Sequence, residues 1–186
     1  MADGPPLKFA FSDAKAIEVL AFVAEKWDGI TPFFLAKVLF FAEKWHLNRY
    51  GRPIIADTYI AMPHGPVPSA VKNIVDENFE FFEEPETFRK MLRVERVHHL
   101  RHLHSRVKSA DLMRLSGSDT ECLEEAIAFC RAKDFGELSN LTHFEKAWKN
   151  APANRPMAYE DFLDDGNPER DALLEEAKSF AAYGVL

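Results

Sequence analysis

The chain is 186 residues long, 47% apolar and carries a net charge of −7, which suits one globular domain with its own core. The general acidity repels nucleic acid, and the longest apolar stretch, Phe33 to Ala42, is broken by Lys37 and falls well short of the ~20 residues a membrane-spanning helix needs. Cys122 and Cys130 form neither a disulfide framework nor a zinc-ligand set, so a reduced, cytoplasmic protein is expected.

Residues 1–11, with Pro5-Pro6, read as a short lead, and Asp3 and Lys8 leave no apolar h-region for a secretory signal. Ser12 is placed to cap a first helix, in which Ile17, Leu20, Ala21, Ala24 and Trp27 recur at helical spacing before Asp28-Gly29 ends it. Thr31 then caps and Pro32 opens a second helix, because proline at the first helical position forfeits no hydrogen bond. This helix is apolar on nearly every face through Trp45, which predicts a central element that the others pack around. Asn48, Arg49 and Gly51 mark its end, Gly51 being free to take φ > 0. Residues 54–62, rich in Ile, Thr and Tyr, read as a strand or small hairpin. The run Pro63-His64-Gly65-Pro66-Val67-Pro68 reads as a rigid exposed corner, and Ser69 as the cap of a third helix over Ala70 to Glu77.

An acidic, Phe-rich link, Phe79 to Glu86, leads to a helical start at Pro85. Residues 87–115 fit two readings. Leu92, Val97, Leu100, Leu103 and Val107 keep helical spacing, whereas Val94, Val97 and Leu112 to Leu115 suit strands. Ser118-Asp119-Thr120-Glu121 reads as a capping box opening a helix that buries Cys122, Leu123, Ala126, Ile127, Phe129 and Cys130. A helical segment, Asp134 to Leu141, is followed by Thr142 as cap of His143 to Lys149, and Asn150 to Pro156 forms a break. Asn167-Pro168 opens a last amphipathic helix with Leu173, Leu174, Ala177 and Phe180. The expected fold is mainly α with a small β-hairpin or sheet (α+β): one compact domain over residues 12–186, with a helical extension from about residue 151.

Candidate binding residues follow from chemistry. The corner His64, Gly65, Pro66 and Val67 loses little entropy when a partner docks, but on its chemistry alone a plain structural turn is the favoured reading, and a binding role rests on family resemblance. Lys37 is one of few charges on an otherwise buried helix. A lone buried ammonium is costly, so pairing with an internal carboxylate such as Asp57 is expected. Tyr59 and Trp148 are candidate interface anchors, at least one of them expected in the core.

Between residues 89 and 108 stand Arg89, Lys90, Arg93, Arg96, Arg101, Arg106 and Lys108 against Glu95 alone. Such a strip, with Arg96 and Arg101 in it, either pairs with the chain's own acid or steers an acidic partner. His98, His99, His102 and His104 crowd there, and His98 and His102 at i, i+4 would share a helix face as two metal ligands do. No cysteine or carboxylate motif accompanies them, so no metal or cofactor is assigned. Gly-x-Ser-x-Gly, a phosphate-cradling glycine loop and His-Glu-x-x-His are absent from the sequence, and no catalytic residue is assigned.

Taken in order, Lys37-Val38-Leu39-Phe40-Phe41-Ala42, Gly51-Arg52-Pro53 and Gly65-Pro66-Val67 resemble the signature of the SocA-like Panacea domain, a bacterial and phage antitoxin family. Leu115-Ser116 ahead of a helix, Leu138-Ser139, and Leu141-Thr142-His143 leading to Trp148 fit it too, so the resemblance spans roughly residues 13–150. It implies a cytoplasmic, non-enzymatic antitoxin that neutralises a toxin protein, often the product of a neighbouring gene, by direct contact. Some relatives look like adaptors that hand the toxin to an ATP-dependent protease. Two other classes remain open: a metal-dependent hydrolase built on the histidine group, and a nucleic-acid-binding regulator using segment 89–108.

Overall fold

The computed structural model describes residues 7–184, apart from the side chain of Ala110; Pro5-Pro6 of the expected lead lies outside the described residues. The fold is mainly α with two small antiparallel hairpins. Ser12 accepts a hydrogen bond from Lys15 N (3.3 Å) and opens α1 (Asp13–Lys26). α2 (Pro32–Tyr50) begins at Pro32, without a side-chain bond from Thr31, and stops at Gly51, whose φ is 63°. Val38 and Phe40 are fully buried and Leu39 and Phe41 nearly so, and α2 forms the axis of the core.

The segment after α2 is strand over a shorter span than its composition predicts. Glu43, buried on α2, accepts the N–H groups of Ile54 (2.8 Å), Ile55 (3.2 Å) and Ala56 (2.8 Å), so these donors point at a carboxylate instead of a neighbouring strand. β1 (Tyr59–Met62) then pairs with β2 (Gly65–Pro68) in the register Met62↔Gly65 to Tyr59↔Pro68. The proline-rich run is therefore no exposed corner. Pro63 and His64 form the turn, while Gly65, Pro66 and Pro68 are buried. The free edge of β1 is covered by residues 154–157, through Ala61 N to Arg155 O (3.0 Å) and Met157 N to Tyr59 O (2.8 Å).

α3 (Ser69–Val75) starts one residue early, at the residue expected to cap it. Its cap is supplied from a distance: the Asp57 carboxylate accepts Ala70 N (2.9 Å) and Val71 N (2.8 Å). The ambiguous stretch holds α4 (Pro85–Met91), then β3 (Leu92–Val97) paired with β4 (Leu100–Ser105). Leu92 and Leu103 point inward as period-2 residues, and Leu103 exchanges backbone hydrogen bonds with Gly29 and Ile30, which holds this hairpin on the α1–α2 link. His98 sits in the turn at φ 55° and His102 on β4, so the two are not an i, i+4 pair on a helix.

α5 (Gly117–Arg131) is opened by a capping box of Ser116 and Asp119, two residues before the expected one. Asp119 of this box reaches Lys15 Nζ (3.0 Å) and Arg52 Nη2 (3.0 Å) in the interior. Asp134 and Glu137 box the start of α6 (Phe135–His143). Thr142 lies inside that helix, donating to Leu138 O and Ser139 O, and α7 (Lys146–Asn150) starts after Glu145 instead. α8 (Arg170–Tyr183) lays Leu173 and Ala177 on α2. No helix among the described residues is long and apolar enough to cross a membrane.

Candidate partner-binding groove

The first turns of α2, strand β2 and helix α3 do not close on one another. Between them lies a groove of about 160 Å³, walled by Pro32, Phe33 and Ala36 of α2, Val67 and Pro68 of β2, and Val71 and Val75 of α3. Its polar groups are Lys37, His64 and Lys72. Phe135, at the start of α6 and 47% exposed, extends one rim, its ring 4.2 Å from that of Phe33 and 5.1 Å from that of His64.

Lys37 forms part of the floor. It does not pair with Asp57, which is occupied in capping α3. Instead its ammonium donates to His64 O (2.6 Å) and Pro66 O (3.4 Å), and lies 5.0 Å from the Phe33 ring centroid. The reason lies in the strand register. Ser69 N donates to Thr58 O, which fixes Val67 and Gly65 as the β2 residues bonded to β1 and turns Pro66 outward. Pro66 and Pro68 have no N–H at these outward positions, and Lys37 takes up outward carbonyls. The free edge of β2 is blunted from both sides.

Burial pulls the Lys37 ammonium down to a pKa of about 7. The unfolded chain then binds more protons than the folded one between about pH 7 and the ordinary lysine value, so the folded state gains stability as pH rises through that window. Lys37→Met lacks this gain. Urea unfolding is expected to show wild type gaining about 1–2 kcal/mol on the variant between pH 7 and pH 9; parallel pH profiles would refute the assignment.

The other candidate residues fall in three places. His64 and Val67 line the groove with Lys37, His64 exposed on the rim and Val67 half-buried in the wall, while Gly65 and Pro66 are buried beside Lys37 and do not line it. Tyr59 is core, 1% exposed and packed against Phe40 and Phe162. Trp148 is half-buried behind the hairpin, donating Nε1–H to Met62 O (3.0 Å) and stacked on His143. Arg96 and Arg101 lie on the second hairpin and pair with the chain's own acid: Arg101 with Asp76 (2.9 Å) and Arg96 with Glu77 (3.7 Å). Asp76 also holds Lys72 (2.6 Å), so this pairing runs up to the groove's edge. Sequence reasoning missed Phe33, Val71, Val75 and Phe135. Phe135 carried no signal of its own, because it stands three, four and seven residues before the buried Leu138, Ser139 and Thr142 and so reads as part of the buried stripe of its helix.

Both cysteines and His46 are tied into structure. Burial pushes the thiols of Cys122 and Cys130 up to about 11 and about 12, leaving them protonated. His46 is fully buried between Arg52 O (2.8 Å on Nδ1) and Ser118 Oγ (3.0 Å on Nε2), and burial lowers it to about 4, so it joins α2 to α5 as a neutral ring. Among the described residues no group of three or more His, Cys, Asp and Glu is arranged to hold a metal ion.

A family model described as the SocA-like antitoxin, Panacea domain, matches residues 35–149, which is more than half of the chain. The matched span begins on the α2 wall of the groove and includes all of β2, α3 and α6. No curated protein and no solved structure matches the chain.

Proposed function

This chain belongs to the SocA-like antitoxin family with the Panacea domain, and on that premise we propose that it neutralises a toxin protein by binding it directly. The observation that carries this reading is convergence. Lys37 and the hairpin residues His64 and Val67, separated in sequence, line one apolar groove, and Lys37 is bonded to the carbonyls of His64 and Pro66. A contiguous apolar depression with few, placed polar groups is what a docking site offers. The role is binding without catalysis, in keeping with two protonated, buried thiols and a histidine committed to packing.

The test is co-expression with the product of the neighbouring gene. That product is expected to arrest growth alone, to be harmless beside this chain, and to copurify with it. Growth arrest that persists in the presence of the folded chain would sink the antitoxin reading. A toxin half-life that shortens when the chain is present would add hand-over to an ATP-dependent protease.

A further inference from the structure

Lys37 makes a demand that the other described residues do not meet. Other interior lysines have counter-ions: Lys15 pairs with Asp119 (3.0 Å), and Lys44 with Glu145 (2.6 Å) and Asp164 (2.8 Å). Lys37 is 1% exposed, and among the described residues it is held by two carbonyls and an aromatic face, with no carboxylate beside it. An ammonium carries three donors. The groove beside it adds no acid, since its other polar liners are Lys72 and His64.

The shape of the site narrows the occupant. Ligand pockets for small molecules start at about 300 Å³, and this groove holds about 160 Å³, enough for side chains and too little for a nucleotide or a cofactor. A partner's strand cannot add to β2, whose outward positions are Pro66 and Pro68 and whose carbonyls at His64 and Pro66 are taken by Lys37. The same lack of N–H groups denies a chain terminus the backbone donors that hold a terminal carboxylate. What fits is an apolar segment carrying a side-chain carboxylate.

We propose that a partner protein docks in this groove by laying apolar side chains on Phe33, Val67 and Val75 and placing one Asp or Glu side chain against Lys37. Resting on the antitoxin reading above, that partner is the toxin. Lys37 lines the groove but is 1% exposed in the free chain, so the carboxylate reaches its remaining donor only as the docked segment parts the Phe33 ring from the ammonium, and the apolar walls then exclude the water that would weaken the pair. Lys72 and Arg101, linked through Asp76, place further positive charge along the approach.

The experiment uses the full-length chain and the neighbouring gene's product, once wild type has been shown to relieve its growth arrest. Lys37→Met and Val67→Glu are each expected to weaken the complex by about 30-fold or more, because each leaves the partner carboxylate buried and unpaired or repelled. Lys37→Met is expected to stay folded by thermal melting, and if it does not, Val67→Glu, at a half-buried wall position, carries the test. Calorimetry at pH 8 in buffers of different ionisation heat supplies a readout that lost packing would not move. Wild type is expected to take up about one proton on binding, as a carboxylate raises the Lys37 pKa, and Lys37→Met none. Wild-type affinity in both folded variants, or binding by wild type without proton uptake, overturns the groove assignment and leaves the antitoxin reading standing. A wild-type chain that neither binds the product nor relieves arrest overturns both.

Discussion

Gly65→Ala is expected to cost about 2–5 kcal/mol and to lower the melting temperature by roughly 5–15 °C. Gly65 has φ 100°, a backbone conformation that an L side chain enters only with strain. It also has no space for a methyl group, because a Cβ would collide with Thr142 Oγ1 and with Lys37 Nζ. Neither neighbour is free to yield. Thr142 is bonded to two carbonyls inside α6, and Lys37 is fixed to His64 O and Pro66 O. Relief therefore requires β2 to lift from α2 and α6, which opens the groove. Gly117→Ala is the control: nothing lies within 4 Å of a Cβ there, and little change is expected. Circular dichroism melts of the two variants decide the matter, and a Gly65→Ala protein as stable as Gly117→Ala would contradict the close approach at the hairpin.

Asp119→Ala is expected to be the other severe substitution, at about 3–5 kcal/mol. Asp119 is fully buried, and it answers Lys15, which is only 3% exposed. Removing the carboxylate leaves that ammonium without its partner inside the core and deprives Arg52 of its anchor. It also breaks the capping box, since Asp119 Oδ2 accepts Ser116 N (2.9 Å). Adding Lys15→Met to Asp119→Ala is expected to restore part of the loss, because the penalty comes mainly from the orphaned charge. pH gives an independent check. Burial alone would raise the Asp119 carboxyl, but the Ser116 N–H and the Lys15 charge hold it below the ordinary carboxylate value. Its stabilising contribution is thus present above that value and is lost as pH falls through the folded pKa. Wild type and Asp119→Ala should converge in acid. Chemical denaturation at neutral and acid pH measures this, and a constant difference would be inconsistent with a charged Asp119.

Much of the fold was legible because it is local or periodic. Ser12, Pro32 and Gly51 act on their own helix ends, and the all-round apolar character of α2 requires burial wherever the chain runs. Two of the errors share a cause, in that a distant group satisfied a backbone that sequence reasoning paired locally. Glu43 drew the N–H groups of residues 54–56 out of the strand, and Asp57 replaced Ser69 as the cap of α3. The second hairpin stayed ambiguous for a related reason. Only Leu92 and Leu103 of its strands are fully buried, so its period-2 signal was thin, and Gly29 and Ile30 supply the contacts that hold it in place.

The candidate site divides in the same way. Sequence alone determined that the chain has a buried central helix with one lysine in it, a proline-rich run after a short strand, and an ordered set of motifs resembling one antitoxin family, because these depend on residue identity and order. The tertiary structure decided that Lys37 faces carbonyls and not Asp57, that the proline run is a blunted edge strand, and that α2, β2 and α3 leave an apolar groove between them. Those outcomes depend on strand register and helix packing. These bring together residues up to about forty positions apart, and spacing along the chain does not encode the direction in which each side chain points.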